Sequence, residues 1–262
     1  MEFGTDLILI IATAAGASWL TFFSGFGLGT LLLPVFVLFF PVDVAIAMVA
    51  IVHFLNNIYK TSLIGMHASW RVVLRFGLPA LVFAFLGAMT LGYLTRIAVN
   101  FPTQIFGVNA AISPVKVVIG LLLLIFAIVD LIPGKPNKKP WPEGALYVGG
   151  ALSGFFGGLS GHQGALRTAF LIRMGLTKET FIASGILISL FVDISRITVY
   201  WNDLSLDQLN EQKYVLLAAV LAAFGGAFVG KKLLRKVTLR GIQLLVGILI
   251  GVVGILLMLG IL

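Results

Sequence analysis

The sequence predicts an all-α integral membrane protein: an inverted repeat in which each half is one re-entrant, broken helical hairpin plus three transmembrane helices. Three observations predict it. The 262 residues are 60% hydrophobic and only 11% charged, with a mean hydropathy of +1.10, too apolar for a water-soluble domain of this length. Ser24-Gly25, Asn57 and Lys60 recur as Ser160-Gly161, Asp193 and Arg196 at one constant offset of 136 positions (24 to 160, 25 to 161, 57 to 193, 60 to 196). Two apolar segments are too long for a single crossing, and each is interrupted near its middle by a glycine cluster.

The elements follow in order. Long Leu/Ile/Val/Phe/Gly stretches satisfy their backbone hydrogen bonds internally as helices, and no strand alternation is evident. Stretches 43–64, 72–95, 114–132, 179–200, 214–233 and 241–262 each fit one crossing, near the ~20 residues a bilayer requires. Stretches 7–40 and 144–173 do not, since a continuous helix of that length would run about 45 Å or more through a core about 30 Å thick. Glycine permits sharp turns at Ser24-Gly25-Phe26-Gly27-Leu28-Gly29 and from Gly157 to Gly164. The alternative is that these glycines only let helices pack closely. The chain divides into a first repeat, 1–132, a basic linker, 133–143, and a second repeat, 144–262. Leu86-Gly87-Ala88 returning as Gly225-Gly226-Ala227, and Gly120 as Gly247, extend the duplication.

Loop charge sets the expected orientation. Lys and Arg accumulate in cytoplasmic loops. Three clusters stand out: Lys60, Arg71 and Arg75; Lys135, Lys138 and Lys139; and Lys231, Lys232, Arg235, Lys236 and Arg240. All lie inside only if the glycine-broken segments enter and leave on one side. The linker is then cytoplasmic, both termini are outside, and the acidic loop with Asp203, Asp207 and Glu211 is outside. One hairpin plus three crossings is an odd count, so the halves sit upside down relative to each other. That arrangement brings the two glycine tips toward mid-membrane from opposite faces.

Composition also excludes. With no cysteine there is no disulfide and no thiolate metal site, and no cofactor or metal is expected. The net charge of +8 lies in short clusters beside apolar segments, which argues against nucleic acid. No nucleotide-binding motif is present.

The motifs Phe23-Ser24-Gly25-Phe26-Gly27-Leu28-Gly29, with Pro34 beyond, and Gly157-Gly158-Leu159-Ser160-Gly161-His162-Gln163-Gly164 resemble the glycine-rich signatures that open each half of the TauE/SafE sulfite exporter family. The similarity covers nearly the whole chain. It implies transport of sulfite, sulfonates such as taurine or sulfoacetate, and related anions across a bacterial-type inner membrane. His162 and Gln163 stand where such motifs commonly continue with glycine.

The residues themselves suggest how an anion would be held. The N-terminus of a half-helix supplies unpaired N–H groups and positive potential. Ser160, Gly161, His162, Gln163 and Gly164 can wrap an oxyanion, with Arg167 adding full charge, or else snorkelling to the cytoplasm. The first tip offers Ser24, Gly25 and Gly27. His53 and Asn57 share a face of the second apolar segment, next to Asn56, and the equivalent face of the repeat carries Ser189, Asp193 and Arg196. Asp193 and Arg196 can pair at i, i+3. The substrate-path set is therefore Ser24, Gly25, Gly27, His53, Asn57, Ser160, Gly161, His162, Gln163, Arg167 and Asp193. Lys60 reads as a charge that fixes orientation.

The leading expectation is a secondary transporter of small sulfur-containing anions working by alternating access, with the bilayer and a small anion as partners. Proton coupling through His53, His162 or Asp193 and a homodimer are open. An anion channel would look the same. A rival is an intramembrane serine hydrolase, since Gly158-Leu159-Ser160-Gly161 matches a G-x-S-G pattern; its serine would need a base, from His53, His67 or His162.

Overall fold

The computed structural model describes residues 4–24, 27–97, 99–105, 107–131, 141–142, 144–203, 211–232 and 239–262. The first broken segment forms α1 (Thr5–Ser24) and α2 (Leu28–Phe36), followed by α3 (Val42–Ile64), a 3-10 turn (Gly65–His67), α4 (Trp70–Arg96) and α5 (Pro114–Leu131). The second half repeats the series: α6 (Ala145–Ser160), α7 (Gly164–Leu171), a 3-10 turn (Ile172–Met174), α8 (Lys178–Asp203), α9 (Lys213–Lys232) and α10 (Leu239–Met258). Helices from Thr5, Val42, Trp70, Lys178 and Lys213 are long and apolar enough to span a bilayer. Most of the linker 133–143, with Lys135, Lys138 and Lys139, lies outside the described residues, as do Arg235, Lys236 and Asp207.

Both long segments break at their glycine clusters, but the arms are unequal. α1 has 20 residues, about 30 Å at 1.5 Å per residue, whereas α2 has 9; α6 has 16 and α7 has 8. The first break thus separates a long arm from a short one, where the sequence predicts two half-helices.

A β-hairpin departs from the all-helical expectation. β1 (Phe101–Ile105) pairs antiparallel with β2 (Val108–Ile112). Gly107, at φ 80°, occupies the left-handed region in the turn. The Ala111 N–H donates to the Gly260 carbonyl (2.9 Å), tying the hairpin to the chain just past α10. Strands of five residues are too short to show alternation against so apolar a background.

The halves pack by exchange. α1 lies along α9 and α4 along α6, so the first helix of each half meets the long helix that precedes the last of the other, while α3 packs on α8 and α5 on α10. Small residues make this close. A Cβ on Gly150, Gly154 or Gly158 of α6 would lie 2.0–2.2 Å from the carbonyl oxygens of Phe76, Ala80 or Ala84 on α4, so these backbones touch without a side chain between them. The repeated glycines Gly87 and Gly226 play one role: a Cβ on either would sit 2.0 Å from a carbonyl, of Phe155 and of Ala15 respectively. On α5 and α10 the crossing pairs Gly120 with Gly254, each facing the other's carbonyl, and not with the Gly247 matched by sequence. Within the Gly157–Gly164 cluster, Gly158 therefore serves close packing, while the turn falls to Gly161, whose φ is 81°.

At the centre lies α3, with residues 44–50 all buried, as expected of a helix apolar on every face. Its buried polar residues, and those of α8 packed on it, are shielded from solvent. They must be satisfied inside the protein.

Candidate functional site

α3 carries His53, Asn56, Asn57 and Lys60 on buried positions, and α8 carries Ser189, Asp193 and Arg196 opposite them. The spacing of three to four residues stacks each set on one helix face. Asp193, fully buried, is the hub. His53 Nδ1 stands 2.6 Å from Asp193 Oδ2, and Asn57 Nδ2 donates to the same oxygen at 3.1 Å. Arg196 Nη1 approaches Oδ1 at 3.5 Å, the i, i+3 pair anticipated from sequence. With Asp193 ionised, His53 donates through Nδ1, and its Nε2 carries the lone pair. Nε2 points toward Gly27, where a Cβ would stand 3.5 Å away.

Beside this cluster is a small cavity of about 30 Å³, room for about two water molecules. Both halves line it: Thr21, His53, Asn57 and Lys60 from the first, Arg167 and Ser189 from the second, with Phe22, Leu28, Phe181, Ile182 and Ile186 as apolar wall. Lys60 is only 4% exposed. Its Nζ donates to Thr21 Oγ1 (3.4 Å), and Asn56, with its amide turned to satisfy both ends, accepts from Nζ at 3.2 Å and donates to the Ala223 carbonyl at 3.2 Å. The sequence reading of Lys60 as an orienting charge is therefore incomplete: four residues before the end of α3, it turns inward. Arg167 is likewise buried within the protein. Its Nη1 donates to Ser189 Oγ, and Gly185 lets the side chain lie against α8, a Cβ there coming 3.3 Å from Nε.

The second glycine break sits on the other side of Asp193. Gly161 abuts the Arg196 guanidinium, with a Cβ position 3.2 Å from Nη2. Arg196 Nη2 donates to the Ile46 carbonyl (3.3 Å), and its guanidinium faces the Tyr200 ring, whose hydroxyl donates to the Gly158 carbonyl (2.6 Å). The two breaks meet here, since a Cβ on Gly29 would lie 3.5 Å from the Gly161 carbonyl.

The eleven residues chosen from sequence thus divide. His53, Asn57 and Arg167 line the cavity, Asp193 anchors two of them, and Gly27 and Gly161 abut the polar cluster. Ser160, His162 and Gln163 are buried but do not line the cavity. The Ser160 hydroxyl donates back to the Phe156 carbonyl (3.0 Å). His162 bonds through Nδ1 to the Ser160 carbonyl (3.0 Å) and stacks on Phe126 of α5, with centroids 5.8 Å apart. Its Nε2, and both amide atoms of Gln163, have no hydrogen-bond partner among the described residues. The Ser24 side chain and all of Gly25 lie outside the described residues. Thr21, Lys60 and Ser189 were missed as lining residues. The repeat register held the signal for the last, since Ser189 falls 136 positions after His53.

Neither arm of a hydrolase is assembled: His162 engages the backbone of Ser160 and not its hydroxyl. The glycine-tip pattern, by contrast, is duplicated and joined to buried polar faces from both halves. A family model described as Sulfite exporter TauE/SafE matches residues 9–257. The chain belongs to the TauE/SafE sulfite exporter family. It is a multi-pass membrane transport protein and not an enzyme. Among curated proteins, none matches it. In this TauE/SafE member the buried basic side chains among the described residues are Lys60, Arg167, Arg196, His53 and His162, against the single carboxylate of Asp193. Such a set favours negative charge in the space it surrounds.

Proposed function

We propose that this protein is a secondary transporter of small sulfur-containing anions, sulfite or a sulfonate, and that the cargo binds in the cavity between Lys60 and Arg167. The observation that carries this is the placement of two buried basic side chains, one from each half, on one small cavity whose remaining polar wall consists of Thr21, His53, Asn57 and Ser189. An oxyanion there receives charge-assisted hydrogen bonds from both basic side chains and neutral donors from the rest. The buried setting of these side chains lowers the local polarity, which strengthens those bonds.

The halves act as inverted copies that rock about the meeting glycine breaks. Support comes from the exchanged packing of α1 with α9 and α4 with α6, which a two-fold relation between repeats produces. The basic residues Arg71 and Arg75 at the start of α4, and Lys231 and Lys232 at the end of α9, support a cytoplasmic placement of those ends and of the 133–143 linker, with both termini outside. Since the cavity draws on the later part of α3 and the earlier part of α8, it then lies in the cytoplasmic half of the membrane. Gly161, His162 and Gln163, on the other side of Asp193, form the continuation of the path.

The test is uptake and counterflow of labelled sulfite, thiosulfate and taurine in proteoliposomes. Saturable counterflow of at least one, lost in Lys60→Met and Arg167→Met proteins that still insert and purify as the parent does, supports the assignment. Transport that persists unchanged in both variants overturns it.

A further inference from the structure

From the geometry around His53 we infer that each anion is bound together with one proton, carried on His53 Nε2 and secured by Asp193. The inference rests on the cavity being the cargo site and adds the second substrate of that site.

Among the described residues, His53 is the titratable group that both lines the cavity and bonds the buried carboxylate of Asp193, at 2.6 Å. Nδ1–H is committed to Asp193 and holds the ring in place, so proton gain occurs at Nε2. Glycine at position 27 keeps the space beside Nε2 free of a side chain. The groups that face His53 are few. On its own helix are Asn57 and Lys60; on α8 are Ser189, Asp193 and, through Asp193, Arg196; on α7 is Arg167. α1 presents Thr21 and Phe22, and α2 presents Gly27 and Leu28, none of which changes charge in the physiological range.

Charge balance then couples the two ligands. In the empty cavity an added proton joins the basic side chains of Lys60, Arg167 and Arg196 and, among the described residues, finds one carboxylate, Asp193, so the empty site disfavours it. An anion entering between the basic side chains supplies the missing negative charge next to Nε2 and favours imidazolium. By linkage the proton must favour the anion by the same factor. In the step, one proton from water joins the Nε2 lone pair as the anion binds, and both leave together when the site opens to the other side. The cavity therefore returns empty and with His53 neutral. A proton gradient then drives net anion movement without any nucleotide.

Binding of thiosulfate to the purified protein, followed by calorimetry in two buffers of different ionisation enthalpy, tests this directly. Thiosulfate is the probe because its own protonation lies far below the assay range, whereas sulfite takes up protons near neutral pH and would mask the effect. The expected result is net proton uptake on anion binding, with affinity rising as pH falls, by up to about tenfold per pH unit. His53→Gln, which retains a donor toward Asp193, is expected to bind thiosulfate with proton uptake near zero and a flat pH profile. Anion binding with no proton uptake in the parent protein overturns the inference and leaves the cargo site standing; unchanged proton uptake in His53→Gln overturns the assignment to this residue. Absence of binding by thiosulfate, sulfite and taurine alike overturns the cargo site itself, and this inference with it. Should His53→Gln fail to fold, the proton count of the parent protein still decides the coupling.

Discussion

The carbonyl of Gly161 and the α-carbon of Gly29 come so close that a Cβ on Gly29 would stand 3.5 Å from the oxygen. These residues open the short arms of opposite halves of the chain. Their approach places the two helix breaks against each other and against the buried cluster on α3 and α8, with Gly27 beside His53 and Gly161 beside Arg196.

Gly161 holds φ 81° with its α-carbon against the Arg196 guanidinium, so it faces two constraints at once. Gly161→Ala pays the left-handed backbone penalty, roughly 1–2 kcal/mol, and pushes Arg196 away from Asp193. A lowered unfolding temperature in detergent, accompanied by weaker anion binding, is the expected outcome. Gly225→Ala, where a Cβ meets nothing within 4 Å, should leave both unchanged and serves as control.

Asp193 neutralises buried Arg196 and anchors His53 and Asn57. Removing one partner of a buried ion pair commonly costs about 3–5 kcal/mol because the other charge is left uncompensated. Asp193→Ala is therefore expected to be strongly destabilised in thermal unfolding, and the double change Asp193→Ala with Arg196→Met to recover part of the loss. A double variant no more stable than Asp193→Ala would show that the pair is not the source.

For Lys60 and Arg167 the expected effect is on binding. Each charge-assisted hydrogen bond to an oxyanion is worth roughly 1.5–3 kcal/mol, or about 10- to 100-fold in affinity. Lys60→Met and Arg167→Met should each weaken thiosulfate binding by that order, measured by ligand-induced thermal stabilisation, whereas Arg71→Met, outside the cavity, should not.

The α4–α6 contact has no room for a side chain at Gly154, where a Cβ would meet the Ala80 carbonyl at 2.2 Å and its α-carbon at 2.5 Å. Only backbone displacement could accommodate one. Gly154→Val should abolish recovery of monodisperse protein, as judged by size-exclusion chromatography, while Gly16→Ala, in open space on α1, should not.

Ser160 donates to the Phe156 carbonyl and has no imidazole on its hydroxyl. A serine-directed fluorophosphonate should leave it unlabelled in intact-mass analysis.

How much was legible beforehand follows from the kind of signal each feature leaves. Helix spans in an apolar chain depend on local composition and length, and α3, α4, α5, α8 and α9 fall within a few residues of the stretches read from sequence. The breaks were legible because glycine clusters interrupt segments too long to span. Asp193 with Arg196 was legible because i, i+3 spacing puts both on one face. Lys60 was not: a lysine near a helix end is ordinarily drawn outward, and only the packing of α1 beside α3, which brings Thr21 within 3.4 Å of Nζ, turns it inward. The β-hairpin and the true partner of Gly120 were hidden for related reasons, one being too short for alternation to show and the other set by a crossing point between helices distant in sequence.

Apolar spans, two glycine-broken segments and polar residues recurring at a fixed offset are readable from the residues alone, because hydropathy, offset and helical spacing are local or periodic properties of the chain. Which of those polar residues share a cavity was decided only by tertiary structure. His53 meets Asp193 across 140 positions, and Lys60 joins Arg167 on one wall, because close small-residue packing brings the two halves together, and no local signal encodes which faces that packing brings into contact.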